Sequence, residues 1–294
     1  MKVLVTGANG QLAHAFKDQL ANKSLQAFFL TKDELDITNL DSVKSCFKII
    51  KPDYVINCAA FTNVDLAESE RKLALMVNSE GAGNLAKVSN HFGRTLIHIS
   101  TDYVFDGLLN KPYKESDNTN PINFYGETKL IGEEQVLQYN PNSIILRVSW
   151  LFSNIGKNFL TSMLALQGKD SIRIVSDQLG APTSTSSIAN TCMKIIQLIS
   201  DKHNFNDWGV YHYSNFPYAS WYDFASIIFS EAYSAEYITK IPSLIPITSK
   251  DYVTTALRPS NSRLNCEKIE NIFEIIKTDW KTEVAQTLLQ IYNK

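Results

Sequence analysis

Residues 2–13 of this 294-residue chain read KVLVTGANGQLA, and this stretch indicates the type of fold. Its first five residues are rich in valine, leucine and threonine, so they predict a short strand that ends at Gly7. Apolar residues then recur at Leu12, Phe16 and Leu20, which is the spacing of an amphipathic helix. A strand, a glycine turn and a helix in this order form a cradle for phosphate, because the helix N-terminus offers free N–H groups.

The glycine turn departs at one position from the GxxGxxG pattern of dinucleotide-binding proteins. Gly7 and Gly10 are present, but Ala13 stands where the third glycine is expected. That position serves close packing of the helix against the strand, and alanine is the smallest replacement. An ordinary glycine turn is the alternative interpretation. The strand before the turn and the helix after it favour dinucleotide binding.

The end of the second predicted strand, residues 25–30, bears on the choice of cofactor. A site selective for NADH usually has Asp or Glu there to bind the ribose 2′-hydroxyl. Here the strand ends in Leu30-Thr31-Lys32, and Lys32 could neutralise a 2′-phosphate, which favours NADPH. Asp33 is next to it, so NADH is possible, and a solvated turn is the simplest alternative.

Strands and helices continue to alternate as far as residue 148. Apolar strands are predicted at 54–60, 95–100 and 144–148, with amphipathic helices between the earlier ones. This order is typical of a parallel, doubly wound sheet, in which ligands bind at the carboxyl ends of the strands. Ala60 and Thr101 stand at such ends, so we expect both to lie beside a ligand.

The pattern is less regular in the second half of the chain. Helices are predicted near 158–166, 187–199 and 221–232 and from about 281, strands near 172–175 and 210–213, and a proline-rich stretch between 242 and 259. We predict a dinucleotide-binding domain at 1–149, which also receives segments near 187–214, and a substrate-binding lobe at 150–294. The expected fold class is α/β: a doubly wound parallel sheet with a smaller mixed C-terminal substrate lobe.

The stretch NFYGETK, residues 123–129, is the strongest candidate for catalysis. Tyr125 and Lys129 are four residues apart, so they project from the same face of a helix. A nearby ammonium group favours the phenolate and draws the tyrosine pKa down from about 10. The motif alone is weak, and an exposed helix face is the alternative interpretation. The dinucleotide pattern upstream favours the catalytic one.

Composition argues against several other classes of protein. The formal net charge of −2 gives no reason to expect a nucleic acid or an anionic membrane as a partner. The chain shows no membrane-spanning run and no signal peptide, so we expect a cytoplasmic protein. Its four scattered cysteines are interpreted as reduced thiols, and the histidines lack metal-ligand spacing, so no metal is expected.

Longer segments then resemble a known family. VTGANGQL, ISTDYVFDG and NFYGETKLIGE resemble the extended short-chain dehydrogenase/reductases. INCAAFTNVDLAESE, DQLGAPT and RPSNSRLN narrow the resemblance to the dTDP-4-dehydrorhamnose reductase family. The matching segments run in the family's order from Val5 to Asn265. The resemblance implies a Rossmann-like fold and NADPH-dependent reduction of the C4 ketone of dTDP-4-dehydro-β-L-rhamnose to dTDP-β-L-rhamnose, the last step of dTDP-L-rhamnose biosynthesis.

The resemblance also implies roles for individual residues. The catalytic set comprises Thr101, Tyr125 and Lys129. The cofactor-binding residues are Gly7, Gly10, Gln11 and Leu12 at the pyrophosphate, Asp36 and Ile37 at the adenine, Ala60, Phe61 and Thr62 beside the ribose and phosphates, and Lys32, Tyr125 and Lys129, with Asn78 nearby. The substrate-binding residues are Thr101, Asp102, Trp150 and, near the nucleotide diphosphate, Arg258. Without the resemblance, Trp150 would be read as a core residue between lobes.

Two other functions fit the same residues. One is another sugar-nucleotide 4-keto reductase or an epimerase of the same superfamily, against which only the DQLGAPT and RPSNSRL segments argue. The other is a non-catalytic NADP-binding subunit resembling the regulatory subunit of methionine adenosyltransferase, against which the intact Thr101, Tyr125 and Lys129 argue. The expected partner is a sugar-nucleotide substrate, and a homodimer is possible.

Overall fold

The computed structural model describes residues 1–20, 25–202 and 204–293. In its first half the elements are β1 (Lys2–Thr6), α1 (Gln11–Leu20), β2 (Gln26–Leu30), α2 (Leu40–Ile50), β3 (Tyr54–Asn57), α3 (Val64–Ala67), α4 (Arg71–Leu75), α5 (Ala82–His91), β4 (Thr95–Thr101), α6 (Phe124–Tyr139) and β5 (Ser143–Val148). In its second half they are β6 (Leu151–Phe152), α7 (Phe159–Leu164), β7 (Ser171–Val175), β8 (Leu179–Gly180), β9 (Thr183–Ser184), α8 (Thr185–Asp201), β10 (Gly209–Tyr213), β11 (Ala219–Ser220), α9 (Trp221–Ser234), β12 (Ser243–Ile247), α10 (Glu267–Phe273) and α11 (Trp280–Tyr292).

The central sheet has six strands in the order β10-β5-β4-β3-β1-β2. Every neighbouring pair is parallel, as the alternation of strands and helices predicts. The order reverses between β1 and β3, and a crevice for a ligand forms at the carboxyl ends of the strands at such a point. Thr6, Asn57, Thr101 and Val148 end four of these strands.

Helices cover both faces of the sheet because its strands alternate their side chains. In β1, Val3 and Val5 belong to a core shared with α1 and α8, whereas Leu4 belongs to a second core shared with α2 and α5. All three side chains are fully buried. The fold class predicted from the sequence, a doubly wound parallel sheet, is therefore confirmed.

The second half of the chain contributes both to this sheet and to a separate core. Strand β10 pairs with β5, and α8 and α10 pack in the same core as α1. A third core joins side chains of α7, β7, α9 and α11, among them Phe224 and Trp280. The division into domains at residue 149 stays a prediction. The second half of the chain passes more than once between the core that contains α1 and the third core.

The structure adds elements that the sequence pattern did not reveal. The proline-rich stretch contains β12, which pairs with β7 in a two-stranded sheet and carries Pro246 within it. Proline is tolerated there because strands at a sheet edge can lack one N–H donor. Helix α10 was also not predicted, since its seven residues are too few for a clear helical periodicity.

The helical region between β3 and β4 is interrupted. A π-helical segment, Met76–Gly81, joins α4 to α5 and buries Asn78 and Ser79. The Asn78 amide nitrogen donates to Thr128 Oγ1 at 3.0 Å, and Ser79 Oγ donates to the Thr128 carbonyl at 2.8 Å. π-Helical turns often occur at functional sites. This one ties α6, which carries Tyr125 and Lys129, to the wall of the cavity described below.

No helix in the described part of the chain is long and apolar enough to cross a membrane. Within those same residues, no group of three or more His, Cys, Asp or Glu side chains is arranged to hold a metal ion. The four cysteines are free thiols, and burial raises the pKa of Cys46 to about 11. The cytoplasmic location stays a prediction.

Candidate active site

A cavity of about 750 Å³ opens at the carboxyl ends of the central strands. All twelve residues predicted to bind the cofactor line it, and so do Thr101, Asp102 and Trp150. The sequence did not predict several other lining residues, which include Asn9, Leu35, Thr38, Cys58, Ala59, Val64, Leu73, Val77, Ile99, Ser100, Tyr103, Val148, Leu151 and Trp221. The structure therefore brings the glycine turn and the Tyr125 helix to one cavity.

The glycine turn closes one end of the cavity. Gly7 has φ +69°, a left-handed conformation that residues with a side chain rarely adopt. A Cβ atom at this position would lie 2.8 Å from the backbone nitrogen of Ala59, so β1 and β3 approach closely here. The Gly10 N–H donates to the Gly7 carbonyl at 2.8 Å, and α1 begins at Gln11. The start of α1 thus points its free N–H groups at the cavity.

Replacement of Gly7 by alanine should weaken dinucleotide binding at least tenfold and lower the free energy of unfolding by roughly 1–3 kcal/mol. The added Cβ combines backbone strain with a clash against Ala59, so the turn must move. Binding measured by reduced-nicotinamide fluorescence and unfolding in urea would test both effects.

Gly93→Ala is the matched control. Gly93 also has a positive φ, +63°, but a Cβ there would meet nothing within 4 Å. The Gly93→Ala variant should have a lower free energy of unfolding because of the same kind of backbone strain, and it should keep its dinucleotide affinity. Equal affinities for the Gly7 and Gly93 variants would contradict the role of the turn.

The walls beside the turn carry the residues expected at the adenine and ribose. Asp36 Oδ1 accepts from the backbone nitrogen and hydroxyl of Thr38, at 3.0 and 2.8 Å, which holds the loop that carries Ile37. Asn78 lies behind the opposite wall, where its side chain binds the backbone N–H and carbonyl of Phe61 at 2.8 and 3.1 Å. Asn78 is therefore a support of the wall rather than part of its surface.

Helix α6 presents Tyr125 and Lys129 to the cavity. Asn123 caps the helix by accepting from the Gly126 N–H at 2.8 Å. Gly126 packs so closely that a Cβ there would clash with the Tyr103 carbonyl oxygen. The first turn of α6 is thereby pressed against the segment that follows Thr101.

The pKa of Tyr125 differs from the sequence expectation. Burial raises it to about 12, with the negative charge of Asp102 acting in the same direction and a hydrogen bond with Thr101 acting against it. Lys129 was expected to lower this pKa, but its Nζ donates to the Ile99 carbonyl at 2.7 Å instead. Burial lowers the pKa of Lys129 itself to about 8. Tyr125 consequently keeps its proton at neutral pH and can act as a proton donor.

Thr101 and Asp102 form a polar pair beside Tyr125. Thr101 Oγ1 donates to Asp102 Oδ1 at 3.0 Å. Burial raises the pKa of Asp102 to about 7, although hydrogen bonds from Ser262 and Thr101 act against the rise. Asp102 Oδ2 is buried without a hydrogen-bond partner among the described residues. A buried, unpaired oxygen at a cavity wall is available to a polar group of a ligand.

Two stacked tryptophans form the wall at the far end. The Trp150 and Trp221 ring centroids are 3.5 Å apart, with planes tilted by 6°. Trp150 adopts φ +46°, an unusual conformation for a bulky residue, and its indole nitrogen donates to Ser262 Oγ at 3.2 Å. Gly180 packs against the Trp150 ring. Trp150 is thus both packed between chain segments and exposed to the cavity at its edge.

Arg258 lies behind Tyr103 and is held by an ion pair. Its guanidinium donates to Asp65 Oδ2 at 2.8 Å, and the Ala256 N–H donates to Asp65 Oδ1 at 3.0 Å. The side chains described as lining the cavity do not include Arg258. The ion pair anchors the segment around Arg258 to α3, and contact with a diphosphate stays a prediction.

Comparisons with known proteins identify the family of the chain. The model of the RmlD substrate binding domain family matches residues 1–293. The dTDP-4-dehydrorhamnose reductase of Aggregatibacter actinomycetemcomitans is 41% identical over 282 residues, which are 95% of this chain and 96% of that protein. The chain belongs to the dTDP-4-dehydrorhamnose reductase family.

Solved structures of this reductase family have the same overall fold as the chain. The dTDP-4-dehydrorhamnose reductase of Clostridium acetobutylicum has a TM-score of 0.91 and 38% identity, covering 99% of this chain and all of that one. The enzyme of Bacillus anthracis, solved in complex with NADP, has a TM-score of 0.90 and 33% identity, covering 98% and 99%. The family expected from the sequence segments is thereby confirmed.

Of the cavity-lining residues that the sequence did not predict, Trp221 is the one whose position in a helix was easiest to recognise. It begins α9 directly after Ser220, whose side chain caps the helix together with Asp223. The sequence therefore indicated a helix start at this point, but not that the helix would meet Trp150.

Proposed function

We propose that the chain reduces the C4 ketone of dTDP-4-dehydro-β-L-rhamnose with NADPH, yielding dTDP-β-L-rhamnose. The observation that supports this most directly is the cavity itself, because Tyr125, Thr101 and Asp102 line it together with a glycine turn suited to a pyrophosphate. The relatives named above carry the same activity in their names. Their similarity extends over nearly the whole chain.

The residues present suit NADPH. Gly7 permits the tight turn in which β1 approaches the backbone of Ala59, and α1 directs its N-terminus at the cavity. Lys32 lines the cavity at the end of β2 and supplies a positive charge for a 2′-phosphate. The related enzyme of Bacillus anthracis was solved with NADP. Bound NADPH supplies the hydride for the reaction.

Tyr125 acts as the proton donor in this proposal. Reduction of a ketone places negative charge on the carbonyl oxygen, and a protonated phenol beside it neutralises that charge as it forms. Because the pKa of Tyr125 is about 12, the phenol is fully protonated over the physiological pH range. The product is an alcohol, and the phenolate that remains takes up a proton from solvent before the next turnover.

Thr101 and Asp102 orient the sugar. When Asp102 is ionised, its free Oδ2 can accept from a sugar hydroxyl, while Oδ1 accepts from Thr101. The Thr101 hydroxyl oxygen also accepts from the Tyr103 N–H at 3.2 Å, which fixes its position. The tryptophan wall offers an apolar surface for a deoxysugar, whose methyl group has no hydrogen-bonding capacity.

Gly180→Ala should raise the KM for the sugar nucleotide at least tenfold and leave NADPH affinity unchanged. A Cβ at this position would lie 2.5 Å from Trp150 Nε1, so the indole must leave its place on Trp221. A loss of about 1.4 kcal/mol in substrate binding corresponds to a factor of ten. Steady-state kinetics with separately varied sugar nucleotide and NADPH would measure the effect.

Gly168→Ala serves as its control, because a Cβ at Gly168 would meet nothing within 4 Å. Its kinetics should match those of the unmodified protein. A Gly180 variant with unchanged KM for the sugar nucleotide would argue against a substrate role for the tryptophan wall.

The direct test of the function is oxidation of the reduced cofactor in the presence of enzymatically prepared dTDP-4-dehydrorhamnose. NADPH and NADH would be compared by absorbance, and the product would be identified by NMR. Turnover only with a different 4-keto sugar nucleotide would point to another reductase of the superfamily. Binding of NADPH without turnover on any of them would point to a regulatory role.

A further inference from the structure

The amine of Lys129 faces a buried histidine that the proposed mechanism does not use. Lys129 is 2% exposed and His98, on β4, is 1% exposed. The Lys129 Nζ lies 3.4 Å from His98 Nε2. Whether that ring nitrogen donates or accepts depends on which nitrogen of the imidazole carries the proton.

The neighbouring Asn57 decides this question. Its Oδ1 accepts from Thr6 Oγ1 at 2.7 Å and from the Ala59 backbone N–H at 3.2 Å. The Thr6 hydroxyl can donate or accept, but the Ala59 N–H, shared between Asn57 Oδ1 and Thr6 Oγ1 at 3.2 Å each, can only donate, so the amide oxygen belongs on this side and the NH₂ group points away. That NH₂ group lies 3.0 Å from His98 Nδ1. The amide therefore donates to Nδ1, which must be unprotonated.

The proton of the neutral imidazole then resides on Nε2, the nitrogen that faces Lys129. We propose that His98 is a positioning residue for Lys129, because its fixed Nε2–H group faces the lysine amine and favours the neutral form of that amine. An ammonium group has no lone pair to accept from this N–H, whereas a neutral amine has one. The hydrogen-bonded series Thr6–Asn57–His98 thus ties the protonation state of Lys129 to the ends of β1 and β3 and to the middle of β4.

Other groups around Lys129 act in different directions. Glu133, one helical turn further along α6, favours the ammonium form and raises the lysine pKa. Cys58 would do the same if it were ionised, but burial holds the pKa of its thiol well above the usual range. Tyr125 is neutral at physiological pH. His98 is neutral too, since burial and the lysine charge lower its pKa.

The equilibrium between the charged and neutral forms of Lys129 matters for turnover. The pKa of Lys129, lowered to about 8 by burial, lies where the amine can lose and regain a proton near neutral pH. An ordinary lysine, with a pKa of about 10.4, would remain charged there. The inference rests on the proposed function for the role of Lys129 in the reaction, but the titration of Lys129 can be measured without substrate or cofactor.

The experiment is a pH titration of the free protein labelled with ¹³C at the ε-carbon of lysine. The Lys129 resonance would be assigned by its loss in Lys129→Met. His98→Leu removes the N–H group without adding charge, and its Lys129 midpoint should lie higher than in the unmodified protein by about half to one pH unit. That range corresponds to the net contribution of one hydrogen bond.

Asn57→Leu provides a second, independent variant in case His98→Leu does not fold. It removes the amide that donates to Nδ1 without adding charge, so the imidazole proton can move to Nδ1 and Nε2 can accept from the lysine; the midpoint should again rise. Ile97→Ala is the control, because Ile97 is a buried neighbour on β4 within the opposite core. It should leave the midpoint unchanged.

A midpoint that stays the same or falls in His98→Leu and Asn57→Leu would overturn the inference. A fall would mean that Nε2 accepts from the ammonium in the unmodified protein. Failure of the proposed function would appear separately, as absence of cofactor oxidation by a protein whose Lys129 titrates as expected.

Discussion

Tyr125→Phe should reduce turnover by about 10²–10⁴-fold, the usual contribution of a positioned general acid, and leave NADPH affinity unchanged. The substitution removes the hydroxyl that delivers the proton and keeps the ring that packs at the start of α6. Without a donor at this position, the charge that develops on the substrate oxygen has to be neutralised by water, because Thr101 donates its one hydroxyl proton to Asp102. Single-turnover oxidation of NADPH and binding by nicotinamide fluorescence would separate the two quantities.

Tyr103→Phe is the matched control for this prediction. Tyr103 lines the same cavity, and its ring centroid lies 6.0 Å from that of Tyr125 in an edge-on arrangement. Burial raises its pKa as well, so both variants remove a buried, protonated phenol hydroxyl. Tyr103→Phe should retain most of the turnover. Near-normal turnover of Tyr125→Phe, or an equal loss in both variants, would show that Tyr125 is not the proton donor.

The second large effect is expected at a buried ion pair beneath the site. Glu133 and Arg147 are 2% and 4% exposed. The Arg147 Nε and Nη2 atoms donate to the carboxylate at 2.9 and 2.6 Å, and Ser100 Oγ also donates to it. Arg147 Nη1 lies 3.3 Å from His212 Nε2 on β10. The pair therefore joins α6, β4, β5 and β10 directly behind Thr101.

Arg147→Met should lower the free energy of unfolding by about 3–5 kcal/mol, because it leaves the Glu133 carboxylate buried without its counter-charge. The double variant Glu133→Leu/Arg147→Met should recover most of this loss, since a buried ion pair replaced by apolar residues leaves no uncompensated charge. Urea unfolding of the single and double variants would give both values.

Arg94→Met provides the exposed counterpart. Arg94 pairs with Asp53 at 3.2 Å, and these side chains are 35% and 41% exposed. Its loss should cost less than about 1 kcal/mol because water screens the pair. A double variant no more stable than Arg147→Met would mean that the shape of the two side chains, rather than their charge, stabilises this region.

Much of the site could be predicted because it depends on residues that are near each other in the chain. The strand, glycine turn and helix of residues 2–20 form through local propensity and spacing. Tyr125 and Lys129 lie on one face of their helix wherever that helix packs in the fold. The parallel sheet also follows from the alternation of elements. Its carboxyl edge then accounts for the common location of Thr101 and Ala60.

Other features depend on residues that are distant in the chain, and local patterns carry no information about them. Asp65 and Arg258 are 193 positions apart, and no local pattern indicated that they would form an ion pair. Trp221 faces Trp150 only because α9 and the segment after β5 pack together.

The chain's amino-acid pattern was enough to predict its family and its sheet, which are confirmed, and to nominate the groups that we propose to react. Its folded form was needed to establish the protonation behaviour of those groups. Spacing suggested a tyrosine with a lowered pKa, whereas burial raises that pKa to about 12. The physical reason is that loss of hydration depends on every atom packed around a group, and those atoms come from the whole chain.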